Sequence, residues 1–130
     1  MVRRISLATF AAVAFGFTGA VLADPPTLSV HPKAPMVAAV DDMAPAIVVY
    51  LDVYCGAPPV DAKVTVAVRQ GDVESSGPVT YVPDAGTRQT IGVTLPGAWQ
   101  QGQAVAFATM LCGALPEAFQ TGAFINITPP

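Results

Sequence analysis

The chain has 130 residues, with 6 Lys and Arg against 9 Asp and Glu, a formal charge of −3, and only 12% charged residues beside 52% apolar ones. So sparse and net-acidic a charge set excludes the clustered cations that nucleic acid or an anionic membrane surface would require. One histidine and two cysteines leave little material for thiol, metal or imidazole chemistry.

Met1-Val2-Arg3-Arg4 precedes an apolar run from Ile5 to Leu22 that closes on Val21-Leu22-Ala23, and this predicts a signal peptide over residues 1–23. The arginines form its basic start, and Val21 and Ala23 are the small residues of a cleavage site between Ala23 and Asp24. The run is short for a membrane span and holds Gly16 and Gly19, and no later stretch reaches about 20 apolar residues, so no membrane insertion is expected after cleavage. Arg3-Arg4 raises the twin-arginine route, which Ile5-Ser6-Leu7 fits poorly. Cleavage leaves 107 of the 130 residues, enough for one domain. Because Arg3 and Arg4 leave with the leader, 4 basic residues then face 9 acidic ones, a formal charge of −5. The expected location is secreted, periplasmic or cell-envelope. Two cysteines in an exported chain of this size predict one disulfide, Cys55 to Cys112.

Prolines 25, 26, 32, 35 and 45 make residues 24–45 a Pro-rich arm, with Thr27 to Val30 able to pair at a sheet edge. Within it, Met36, Val40 and Met43 have helical spacing while Val37 to Val40 reads equally as a short strand. Ala46 to Cys55 is the cleanest strand signal: Ile47, Val49, Leu51, Val53 and Cys55 share one face, and Tyr50, Asp52 and Tyr54 the other. After the break Gly56-Ala57-Pro58-Pro59, Lys63 to Gln70 alternates with Val64, Val66 and Val68 inward. Gly71 to Gly77 reads as a polar connection and Pro78 to Val82 as a short strand, followed by the turn Pro83-Asp84-Ala85-Gly86. Arg88 to Leu95 alternates again, and Trp99 lies in the loop after Pro96-Gly97.

Ala104 to Cys112 is apolar on both faces. With Cys112 inward, Ala104, Ala106, Ala108 and Met110 follow it and Val105, Phe107 and Leu111 are left outside, which calls either for a register-shifting bulge or for cover by the arm. Pro116 to Phe119 reads as a helical turn within the loop Gly113 to Thr121, and Gly122 to Thr128 as the last strand.

Seven short strands separated by turn signals predict an all-β, seven-stranded antiparallel sandwich over residues 46–130 with the arm at its edge. If the chain reverses at each connection, the strands ending in Cys55 and Cys112 run the same way and the cysteines meet at one end, as an inter-sheet disulfide. Across Ala46 to Thr128 the chain resembles the immunoglobulin-like fold. It lacks a tryptophan on the third strand and has Met110 two residues before the second cysteine, where antibody-type domains carry a tyrosine. Tyr54-Cys55-Gly56, Val64-Thr65-Val66 leading to Gln70-Gly71, Thr87-Arg88-Gln89-Thr90 leading to Val93-Thr94, and Gln101-Gly102-Gln103-Ala104 are similar to small secreted actinobacterial proteins of uncharacterised function. That resemblance implies a single sandwich domain and no activity.

Chemistry is thin. His31 has no sequence-evident partner and reads as a surface residue; Asp41-Asp42 are adjacent and splayed, and offer at most a weak calcium site. His31, Met36, Met43, Cys55, Met110 and Cys112 are copper-ligand types, but no histidine follows Cys112, so the spacing fails. There is no glycine-rich phosphate loop, no cofactor is expected and no catalytic residue is assigned. Asn126-Ile127-Thr128 matches a glycosylation sequon. What remains is surface: the loops Gly56 to Ala62, Pro83 to Thr87 and Gly113 to Thr121 gather at the cysteine end with Asp61, Asp84, Glu117 and Phe119. Trp99 falls at the opposite end, as a binding anchor or packed under its own loop. The expected function is a non-catalytic module binding a protein or cell-envelope component; the alternative is a small hydrolase or metal-dependent enzyme using Asp61, Asp84 and Glu117.

Overall fold

The computed structural model describes residues 25–38, 45–56, 60–113 and 117–130. The signal peptide with its Ala23–Asp24 junction, Asp41-Asp42, Val40 and Met43 lie outside the described residues. Among those described, all regular structure is β: β1 Thr27–Val30, β2 Lys33–Ala38, β3 Pro45–Tyr54, β4 Ala62–Gln70, β5 Val73–Ser76, β6 Thr80–Val82, β7 Gln89–Pro96, β8 Gly102–Cys112 and β9 Ala118–Thr128. The two-residue periodicity decides the faces. On β3, Ile47, Val49, Leu51 and Val53 are buried while Tyr50 and Asp52 are exposed; on β4, Val64, Val66 and Val68 are buried while Lys63 and Arg69 are exposed.

Backbone hydrogen bonds join the strands in the order β1-β3-β2-β9-β8-β4-β5, with β7 on the other edge of β3 and β6 beside β5 along β4. The inward side chains of β3, β7, β4 and β8 meet in a single apolar core, to which Leu28, Val30 and Met36 of the arm are also packed. Prolines in the arm did not keep it out of the sheet. β1 pairs with β3 as far as Val30 opposite Leu51, and His31 N–H still donates to Tyr50 O at 2.9 Å. Pro32 has no N–H to give, and its carbonyl instead accepts from Asn126 N–H at 2.8 Å. The arm thus swings to β9, where Lys33 to Pro35 run parallel to Asn126 to Thr128, and returns to β3 at Met36 opposite Ile47. Between the two β3 pairings the arm uses two residues more than β3, as a bulge does.

Three expectations change here. The sheet is mixed rather than antiparallel throughout, because β2 runs parallel to β9. It holds nine strands rather than seven, because β2 and β5 are strands as well. And Ala118 and Phe119 begin β9 instead of a helical turn, since Ala118 to Thr121 find pairing partners in Ala108 to Leu111. β5 arises from a two-residue turn, Gly71-Asp72, with Gly71 at φ 59°, which lets Val73 pair with Gln70.

β8 has neither the register-shifting bulge nor cover from the described residues of the arm. Its register with β9 is unbroken from Gly102 to Leu111; Ala104, Ala106, Ala108, Met110 and Cys112 are buried, and Phe107 and Leu111 stay exposed. The disulfide joins Cys55 and Cys112 with 5.6 Å between Cα atoms and a sequence separation of 57. It connects the end of β8 to the residue after β3, two strands that share no backbone pairing. With no S–H left, the Cys55 Sγ contact to Met110 Sδ at 3.9 Å is van der Waals packing.

Replacing both cysteines by alanine is expected to lower the unfolding free energy by about 4 kcal/mol, read from urea melts, with the far-ultraviolet dichroism of the native sheet retained. Gly77 donates its N–H to Val66 O at 2.9 Å, and a Cβ there would stand 2.9 Å from Val93 Cγ1 and 3.0 Å from Leu95 Cδ2. Gly77→Ala should therefore cost about 1–3 kcal/mol in the same assay, as overpacking does; a neutral result would mean that the backbone just after β5 does not press on β7 in solution.

Candidate functional site

Described residues of the connections after β3, β6 and β8 are tied together beside the disulfide. Cys55 N–H donates to Ala85 O, Ala85 N–H to Val60 O and Gly113 N–H to Asp61 O, each at 2.7 Å. Ala85 is fully buried and acts as the pin between the first two. Residues 57–59 and 114–116 of the expected loops lie outside the described residues, so the surface is built from Val60, Asp61, Pro83 to Arg88, Gly113 and Glu117.

Asp61 stands just before β4 and accepts from the Tyr81 hydroxyl of β6 and from Asp84 N–H at 3.0 Å. Asp84 adopts φ 56°, a left-handed conformation that aspartate tolerates better than most residues. Its carbonyl accepts from Gln89 Nε2 at 2.8 Å and Thr87 Oγ1 at 3.3 Å, and Gln89 Nε2 also reaches Pro83 O at 3.0 Å. The turn is thus held by a carboxylate on one side and an amide on the other. Arg88 lays its guanidinium over the Tyr54 ring, 4.4 Å from the centroid. Tyr81 and the Asp84 amide hold the Asp61 carboxyl below its ordinary range, and the same bond pushes the Tyr81 phenol up.

The expected site residues separate into three groups. Asp61 and Asp84 are brought together through a carboxylate and a backbone amide on an exposed turn, where Asp61 accepts from two donors. Glu117 is exposed on the approach to β9, while Phe119 is half-buried against the core. Trp99 is 3% exposed and its indole N–H donates to Leu95 O at 2.8 Å, so it packs under its own loop. That loop is locked at the opposite end by Gln70, whose side-chain amide accepts from Gln100 N–H at 2.9 Å and donates to Gln100 O at 2.8 Å.

A second polar cluster was not legible in the sequence. His31 Nε2 lies 2.8 Å from Asp52 Oδ2, and Thr90 Oγ1 donates to Asp52 Oδ1 at 2.6 Å. The Thr90 bond, then the His31 bond and charge, hold the Asp52 carboxyl below its ordinary value. A nucleophilic triad needs the imidazole between hydroxyl and carboxylate; here the carboxylate stands between the other two, so Thr90 has no base to take its proton in that sense. The cluster instead ties the kink of the arm to β3 and β7. Among the described residues, no three His, Cys, Asp or Glu side chains converge as a metal site.

Asp52 and Asp61, with depressed folded-state values, stabilise the fold above the ordinary carboxylate range and lose that contribution as pH falls through their folded values. Tyr81, with a raised value, contributes below about pH 10 and loses it as pH rises through its folded value. Tyr81→Phe should lower the melting temperature at neutral pH, and the gap to wild type should close both below about pH 4 and in strong alkali. A pH-independent gap would mean that the Tyr81–Asp61 bond is not the cause. No family model matches the chain, and no curated protein is significantly similar to it.

Proposed function

We propose that the chain is a secreted, non-catalytic immunoglobulin-like β-sandwich, of the kind found in small actinobacterial exported proteins, that binds a protein or cell-envelope component through its cysteine end. One observation carries the reading: three connections are tied by a disulfide, backbone bonds and Asp61 into one exposed surface. Residues held in place before a ligand arrives, as Asp61, Asp84 and Ala85 are, lose little conformational freedom on binding, which favours affinity. Asp84, Arg88 and Glu117 would supply its charged contacts.

The sandwich reading is supported by the pairing pattern. Counting β1 with β2, and β5 with β6, as two interrupted strands reduces nine to seven. They fall into β1/β2–β3–β7 and β9–β8–β4–β5/β6, with the disulfide reaching from one group to the other. Export is supported by the leader pattern and by a disulfide, which persists in oxidising compartments. No helix among the described residues is long and apolar enough to cross a membrane. The enzyme reading has less support, because Asp61 is occupied by Tyr81 and Asp84.

The test is affinity capture from native envelope extracts with the processed chain and with a variant carrying Asp84→Asn and Glu117→Gln, changes that leave the backbone ties in place. Retention of a component by the wild type and its loss by about tenfold or more in the variant is the expected outcome. Equal retention by both would remove the cysteine end from consideration.

A further inference from the structure

The outward face of β9, β8 and β4 carries large apolar side chains that stay exposed among the described residues. Phe124 is 68% exposed, Phe107 54% and Leu111 41%. Register places them on one surface: Phe124 stands opposite Val105, Phe107 between Gly122 and Ala67, and Leu111 opposite Lys63. The Phe107 ring leans over Gly122, where a Cβ would lie 3.2 Å from its Cδ1. A hollow of about 410 Å³ lies on the β9 side of Phe107, and another of about 320 Å³ lies on the β4 side, running to Ser76 and Gly77.

From this arrangement we infer that the face is the contact surface of a two-fold homodimer, each copy placing its Phe107 in a hollow of the other. An isologous contact requires a patch complementary to itself, and a projecting ring flanked by hollows on the same face meets that condition. Charge at this face does not oppose a second copy. The processed chain is net acidic, so two copies repel in general, yet this face is not acidic: Lys63 and Arg69 stand on it, with Glu74 of β5 opposite Arg69. Size fits as well. Counting β5 and β6 together as the strand beside β4, the four strands of this sheet, about 4.8 Å apart and some nine residues long, give a face of roughly 19 by 30 Å. Its corrugated accessible area is of the order of the ~800 Å² per partner that a stable interface buries. The apolar centre with Thr65, Thr109 and Gln120 beside it follows the composition of an interface core and its polar surround.

The inference is independent of the cysteine-end reading, which leaves that end free to bind. Sedimentation velocity of the processed chain over a wide concentration series tests it, alongside Phe107→Asp and Phe124→Ser. Both substitutions fall on exposed side chains and should leave the melting curve of the disulfide-linked fold close to that of the wild type. Expected is a concentration-dependent dimer whose dissociation constant rises about tenfold or more in Phe107→Asp and by a smaller factor in Phe124→Ser, with the Asp84→Asn, Glu117→Gln variant dimerising as the wild type does. A monomer at every concentration, or a dimer that neither phenylalanine substitution weakens, overturns the inference. Either result leaves the capture experiment at the cysteine end to be judged separately.

Discussion

The bridge between Cys55 and Cys112 is the constraint on which the rest of the structure hangs. It joins the ends of two strands that no backbone ladder connects, and so fixes how the β3 side of the core faces the β8 side. Its neighbours extend the effect: Cys55 itself donates to Ala85 O, and Gly113, next to Cys112, donates to Asp61 O. The covalent link and the loop ties are therefore one assembly. In the unfolded chain the link also closes a long loop, and the entropy so removed stabilises the native state by an amount comparable with much of a small domain's net stability.

The strands with strict alternation were legible without coordinates. β3, β4, β7 and the inward side of β8 follow from residue type alone, because a period of two leaves one face apolar and commits it to the core. The arm and the edges were not. β5 is Val-Glu-Ser-Ser, too polar to be recognised by hydrophobicity, and only the Gly71-Asp72 turn gave the signal that a hairpin begins there. The parallel pairing of β2 with β9 depends on where Pro32 breaks the ladder with β3, a matter of register between segments far apart in sequence.

The same limit applies to the polar residues. Strand direction alone placed Asp61, Asp84 and Glu117 at one end, and placed Trp99 at the other. What each side chain touches was hidden. Tyr81 reaches Asp61 across 20 residues, and His31 reaches Asp52 across 21, both through pairings that no local pattern encodes. Function-like combinations of residues, an imidazole beside a carboxylate and a hydroxyl, or two aspartates at a turn, resolve here into ties that hold a kink and a loop. In both, the carboxylate stands between its donors, an order that differs from that of a nucleophilic triad.

The distribution of volume across β8 leads further than its pattern does. Its inward positions carry Ala104, Ala106 and Ala108, in a core already containing Ile47, Leu51, Leu95, Met110 and Trp99. Small residues fit where opposing side chains are large and space is filled at close-packed density. The phenylalanines thus lie outside for a reason the core supplies, but the core does not explain why those outward positions are aromatic. Burying one such ring is worth about 1.5–3 kcal/mol relative to leaving it in water. Folding of the single chain recovers only part of that, since Phe124 stays 68% exposed and Phe107 54%. Strand preference and the Gly122 contact favour an aromatic residue at Phe107 within the single chain, and the area still exposed is what the inferred second copy would cover. Gly122 fits the same logic, since the missing side chain opposite Phe107 lets the ring lie flat beside a hollow instead of being filled in from β9.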